Sequence, residues 1–143
     1  MPIPTIVLTH AGGPHLDAYL AGLAASSEVS EVVVADAGGS TFAAAQKALG
    51  PKLKATGKDA VALLREHKPK LALVTMEAVL APAAIDAALE HGCHVHAEKP
   101  ACVRVADQST NSAFAWPPGS SKPKLMRSVR ERRGQALWAS ILK

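Results

Sequence analysis

Gly92-Cys93-His94-Val95-His96-Ala97-Glu98-Lys99-Pro100 takes the chain from a glycine stop, through a short alternating segment, to a carboxylate, an ammonium and a proline. Gly92 follows an apolar helical pattern and fits a C-terminal stop. His94 to Ala97 has the length of a short strand, so charge enters where that strand ends. In an open α/β sheet the crevice beyond the strands' carboxyl ends is where ligands bind, and Lys99 would carry a cation into it. Pro100 has a fixed φ and no donor, and it biases Lys99 away from helical conformations. The competing interpretation is an exposed Glu98-Lys99 surface pair of little energetic weight.

Upstream, the pattern alternates strand and helix. Ile3 to Thr9 is a β-branched apolar run, closed by Ala11-Gly12-Gly13-Pro14, which predicts a buried strand, a glycine turn and a helix with proline in its first turn. From His15 to Ala25, Leu16, Tyr19, Leu20 and Leu23 share one helical face. Glu31 to Asp36 is a valine-rich strand ending in a carboxylate. Thr41 to Leu49 predicts a short helix before Gly50-Pro51, and Asp59 to His67 predicts another amphipathic one. Leu71 to Thr75 predicts a third strand. Pro82 opens a helix over Ala83 to His91, with Ile85, Ala88 and Leu89 facing inward. Strands alternating with helices imply right-handed βαβ crossovers, hence an α/β, Rossmann-like, doubly wound parallel sheet.

Two polar positions in this scaffold each have two interpretations. Gly12-Gly13, between strand and helix, is either a phosphate-approaching loop or simply a turn, and it lacks the G-x-G-x-x-G spacing. Asp36 lies twenty-four residues after Gly12. It stands where an acidic residue accepts from adenosine ribose hydroxyls and favours NAD over NADP, or where an aspartate caps the following helix.

Ala87-Ala88-Leu89-Glu90-His91-Gly92 and the Cys93 to Pro100 segment after it together resemble the stretch ending in Glu-Lys-Pro of the Gfo/Idh/MocA oxidoreductases. The resemblance covers roughly residues 3 to 107. It implies an N-terminal Rossmann domain binding NAD or NADP, with Lys99 at the position that sits beside the nicotinamide and assists hydride transfer. The cofactor-binding positions expected on this basis are Gly12, Gly13, Asp36, Thr75, Glu98, Lys99 and Pro100. Weak binding is expected because the glycine fingerprint is degraded and the family's domain that covers the nicotinamide is not expected here, and the family pattern is departed from at two places. The glycine fingerprint is degraded, and Thr75-Met76-Glu77 stands where the family has Thr-Pro-Asn.

Composition bounds the rest. A chain of 143 residues suits one domain with a real core. Residues 1 to 107 carry nine Lys/Arg against eleven Asp/Glu, and residues 108 to 143 carry seven against one. The net charge of +4 therefore belongs to the tail, and no nucleic-acid face is implied for residues 1 to 107. Two cysteines, Cys93 and Cys102, give no disulfide framework and imply reduced thiols in a cytoplasmic setting. No leader pattern opens the chain, and no apolar run approaches the roughly 20 residues of a membrane span. His91, Cys93, His94 and His96 are competent zinc ligands, but a strand splits them between faces, so no metal site is expected.

Residues 108 to 143 change character. Gln108 to Lys124 is rich in Ser, Asn and Pro, and 125–142 fits a basic helix. The expected organisation is a nucleotide-binding domain over 1–107 and an irregular basic tail over 108–143, the product of truncation or a shifted reading frame. The substrate domain of the family is not expected here, nor activity of this chain alone. The alternative function is a small interaction module that uses its basic tail and no cofactor.

Overall fold

The structure, a computed structural model, describes residues 2–13, 15–101 and 103. The expectations for Pro14, for Cys102, and for the tail with its 125–142 helix lie outside the described residues.

Five parallel strands alternate with four helices: β1 (Ile3–Thr9), α1 (Leu16–Ala25), β2 (Val29–Asp36), α2 (Phe42–Leu49), β3 (Leu53–Gly57), α3 (Ala60–His67), β4 (Leu71–Thr75), α4 (Ala81–Glu90) and β5 (His94–Ala97). A short 3-10 turn over Gly50–Lys52 carries α2 into β3. The strand order is β3-β2-β1-β4-β5. The chain therefore winds outward from β1 to β3, then crosses back to the other side of β1 for β4 and β5. That reversal, between β1 and β4, is the switch point at which open α/β sheets leave a crevice.

Period-two alternation along the central strands builds a core on each face of the sheet. Ile6, Leu8, Val33, Ala35, Ala72 and Val74 pack with Leu63, Leu64, Ile85 and Ala88 of α3 and α4. Val7, Val32, Val34 and Leu73 point the other way, onto Leu16, Leu20 and Leu23 of α1 and Ala45 and Leu49 of α2. The doubly wound parallel sheet expected from the sequence is thus the observed one. Small aliphatic side chains fill both layers, as the scarcity of aromatics requires.

Helix boundaries follow local chemistry. Asp59 caps α3, its Oδ1 accepting from the Ala62 amide at 2.9 Å. Pro82 sits in the first turn of α4, where its missing N–H costs nothing, and Gly92 adopts φ 79° just beyond the helix. One element differs from the sequence expectation, which assigned no strand between α2 and α3. Leu53–Gly57 pairs in parallel with β2 as an edge strand, with Leu53, Ala55 and Gly57 half-buried and Lys54 and Thr56 exposed. No helix among the described residues is long and apolar enough to cross a membrane.

Candidate functional site

Register brings the polar strand ends to one edge. Thr9 of β1 stands level with Asp36 of β2 and with Thr75 of β4, and Val74 stands level with Ala97 of β5. The Glu98 amide extends the last ladder by donating to the Val74 carbonyl at 2.8 Å. Gly12, Gly13, Asp36, Thr75, Glu98, Lys99 and Pro100 therefore all belong to the carboxyl edge of the sheet, though their side chains do different things there.

The loop after β1 is tightly wound. Ala11, Gly12 and His15 have φ of 50°, 78° and 60°, and for the two non-glycine residues this left-handed conformation is costly, a feature that gathers at functional sites. Gly13 is there because nothing larger fits: a β-carbon on it would lie 2.1 Å from the Thr75 carbonyl oxygen. Backbone thus meets backbone at the switch point. The Gly13 amide donates to Thr9 Oγ1 at 3.2 Å and the Ala11 amide to Asp36 Oδ1 at 3.3 Å. Two of the loop's amides are consequently turned into the protein.

Asp36 is fully buried and is the organiser of this side of the edge. Oδ1 accepts from the amides of Ala11 and Gly38, and Oδ2 from the Thr41 amide and the hydroxyls of Thr41 and Ser40. Burial works to raise its carboxyl, but the Thr41 hydroxyl and the three amides outweigh it and hold the group at about 2. Its lone pairs are taken by its own and the neighbouring loop. The N-cap residue of α2 is Thr41, so Asp36 organises the loop ahead of that helix without capping it.

Glu98 plays a parallel part at the other end. It does not pair with the Lys99 ammonium. Its buried carboxylate turns back toward α1, where Oε2 accepts from the Tyr19 hydroxyl and from His15 Nδ1, and Oε1 accepts from the Lys99 amide at 2.9 Å. Burial again opposes ionisation. The hydrogen bonds from Tyr19, His15 and the Lys99 backbone prevail, leaving the carboxyl at about 2. Burial, reinforced by the Glu98 hydrogen bond and charge, drives the Tyr19 phenol far above its ordinary value. The His96 ring meets Tyr19 edge-on, with centroids 6.1 Å apart. His15 and Tyr19 were not singled out by the sequence. They lie 83 and 79 residues from Glu98, and only the shared apolar face placed Tyr19 toward the core.

Lys99 and Pro100 are exposed at the end of β5, with the Lys99 backbone fixed by Glu98. Thr75 is fully buried, and it is its carbonyl that meets the loop. A cavity of about 290 Å³ lies between the ends of β1 and β2, the residues that follow β3 and β4, and α4. Leu8, Ala35, Met76, Leu80 and Ala84 give it apolar walls, and His10 and Lys58 stand at it as basic residues. Among the described residues no group of three His, Cys, Asp or Glu is placed to hold a metal ion. Cys93 is buried, with Sγ donating to the Pro69 carbonyl, and burial raises its thiol.

No protein-family model matches the chain, and no curated protein does. Solved structures do. Myo-inositol dehydrogenase from Lactobacillus casei, in complex with NAD(H) and myo-inositol, aligns over 78% of this chain with TM-score 0.69 and 18% identity. KijD10, a 3-ketoreductase from Actinomadura kijaniata in complex with TDP-benzene and NADP, aligns over 79% with TM-score 0.62 and 26% identity. UDP-N-acetylglucosamine 3-dehydrogenase GnnA from Acidithiobacillus ferrooxidans aligns over 78% with TM-score 0.59 and 22% identity. The chain spans about a third of the length of each, 32% to 34%. The architecture of residues 3–97, with Glu98-Lys99-Pro100 at the end of its last strand, is accordingly the fold of the Rossmann-like N-terminal domain of Gfo/Idh/MocA-type dehydrogenases.

Proposed function

We propose that this chain is a dinucleotide-binding domain of the Gfo/Idh/MocA type, holding NAD(P) along the carboxyl edge from the cavity at β2 and β3 to Lys99 at β5. The observation that carries this is the contact of Gly13 with the Thr75 carbonyl. It brings a glycine loop down onto the switch point, between an apolar cavity suited to a flat heteroaromatic base and an exposed ammonium. A β-carbon would abolish that approach, which is the role glycines have in dinucleotide loops.

The chain's own residues divide into those that would touch the ligand and those that hold them. His10, Met76 and Leu80 line the cavity, and Gly12, Lys99 and Pro100 are exposed at the same edge and would meet the ligand there. Asp36, Thr75 and Glu98, expected from the sequence as contacts, act from behind as supports. Bound NAD(P) would supply the hydride acceptor or donor. The Lys99 ammonium would stabilise charge developing on a substrate oxygen, a contribution that requires the substrate to be positioned. The chain spans about a third of the length of its structural neighbours, and turnover by these residues alone is not expected.

Affinity is expected to be low, since the Ala11 and Gly13 amides serve Asp36 and Thr9 rather than a pyrophosphate. Calorimetry on the chain should give a Kd for NAD above ~0.1 mM, less than roughly 5.5 kcal/mol of binding. Mixtures with polyols, sugars or 2-hydroxy acids should show no reduction of the cofactor. Micromolar NAD affinity would contradict the account of the loop, and Lys99-dependent turnover would contradict the expectation that these residues alone are inactive.

A further inference from the structure

We propose that the site prefers NADP(H) to NAD(H), with Lys58 as the residue that recognises the 2′-phosphate; this deepens the dinucleotide assignment above and rests on it. The structural neighbours do not decide the matter, as one is described with NAD(H) and another with NADP.

An acidic residue after β2 selects NAD by accepting hydrogen bonds from the adenosine ribose and repelling a 2′-phosphate. Asp36 stands at that place in the chain but cannot do this work in the observed geometry. It is fully buried, and five donors from Ala11, Gly38, Ser40 and Thr41 occupy its oxygens. A ribose would meet the outside of the Gly38-Gly39-Ser40 loop, where backbone is presented. The carboxylate stays on the inside.

The charge facing the ribose position is positive. Lys58 follows β3 and stands at the cavity with Ala37 and His10. Its stem lies along the loop after β2, with Cε 3.2 Å from where a β-carbon on Gly39 would be. It is exposed, and it belongs to none of the ion pairs among the described residues, which involve Lys54, His15 and His67. An ammonium beside this loop, with no carboxylate partner, favours a phosphate dianion through a charge-assisted hydrogen bond. His10 adds a second basic group at the cavity when protonated.

Calorimetric titration of the full chain with NADP+, NAD+, 2′,5′-ADP and 5′-AMP tests this. NADP+ should bind about tenfold or more tightly than NAD+, and 2′,5′-ADP should exceed 5′-AMP by a similar factor, with both preferences shrinking as salt rises. Lys58→Met, which keeps the apolar stem, should bring the ratio of NADP+ to NAD+ affinity to about one, and Lys58→Arg should restore it. Circular dichroism would confirm that the variants are folded. NAD+ binding as tightly as NADP+ in the unaltered chain, or a folded Lys58→Met that keeps the preference, overturns the role of Lys58 and leaves the dinucleotide site standing. Failure of all four compounds to bind overturns the dinucleotide site itself, and this inference with it.

Discussion

The crevice is held at its two ends by the same device put to different use. After β2, Asp36 gathers donors close in sequence, from Gly38, Ser40 and Thr41, and a single one from across the sheet, Ala11. After β5, Glu98 reaches His15 and Tyr19, at the other end of the chain, and takes just the Lys99 amide from its own turn. One carboxylate shapes a loop; the other joins two elements. Neither points its oxygens into the crevice, so a carboxylate at a strand's end is here a means of fixing backbone. The cations Lys58 and Lys99 are exposed at the same edge.

Acid should have the largest effect on this pair. Both carboxyls sit at about 2 in the folded protein, from ordinary values of 4.5 for Glu98 and 3.8 for Asp36. The folded state therefore binds fewer protons than the unfolded one. The stabilisation is complete above pH ~4.5 and is lost as pH falls toward 2, roughly 6 kcal/mol for the two together as an order of magnitude. Urea midpoints measured between pH 6 and pH 2.5 should fall steeply below 4.5. A flat profile would mean that the two groups are not held as described.

Asp36→Ala should come next, costing about 3 kcal/mol, because it leaves the buried Thr41 amide and hydroxyl without their acceptor and frees the loop. Denaturant unfolding measures it, and a loss under ~1 kcal/mol would show that water replaces the carboxylate. Tyr19→Phe is the smallest change. Removing one of the donors to Glu98 should cost about 1 kcal/mol. It should also raise the Glu98 carboxyl while leaving Asp36 where it is, which NMR titration of the two side-chain carboxyl carbons would resolve. Movement of both would mean that the two ends of the crevice are coupled.

The scaffold was legible because it is written in short-range pattern. Apolar runs marked β1, β2 and β4, Asp59 and Pro82 marked helix starts, and the Glu98-Lys99-Pro100 turn marked the carboxyl end of β5. β3 escaped because Leu53-Lys54-Ala55-Thr56-Gly57 is an edge strand only half-buried, with too few apolar side chains to stand out from a loop. The site was legible as a set of positions but not as a set of directions. Asp36 and Glu98 were identified by place, yet which way a carboxylate turns depends on donors brought to it by folding. For Glu98 those donors are two side chains about 80 residues away. Gly13 shows the same limit: Gly12-Gly13 reads as a turn, and only the packed sheet reveals which of the two has the Thr75 carbonyl against it.

The central claim, that a dinucleotide lies along the carboxyl edge, is tested most directly by amide NMR of the ¹⁵N-labelled chain during titration with NADP+ to several millimolar. Saturable shifts are expected at Gly12, Gly13, Ala37, Gly39, Lys58, Met76 and Lys99, with Ile3, Val29, Leu71 and His94 at the opposite edge unmoved. An unchanged spectrum, or shifts confined to that opposite edge, would contradict it.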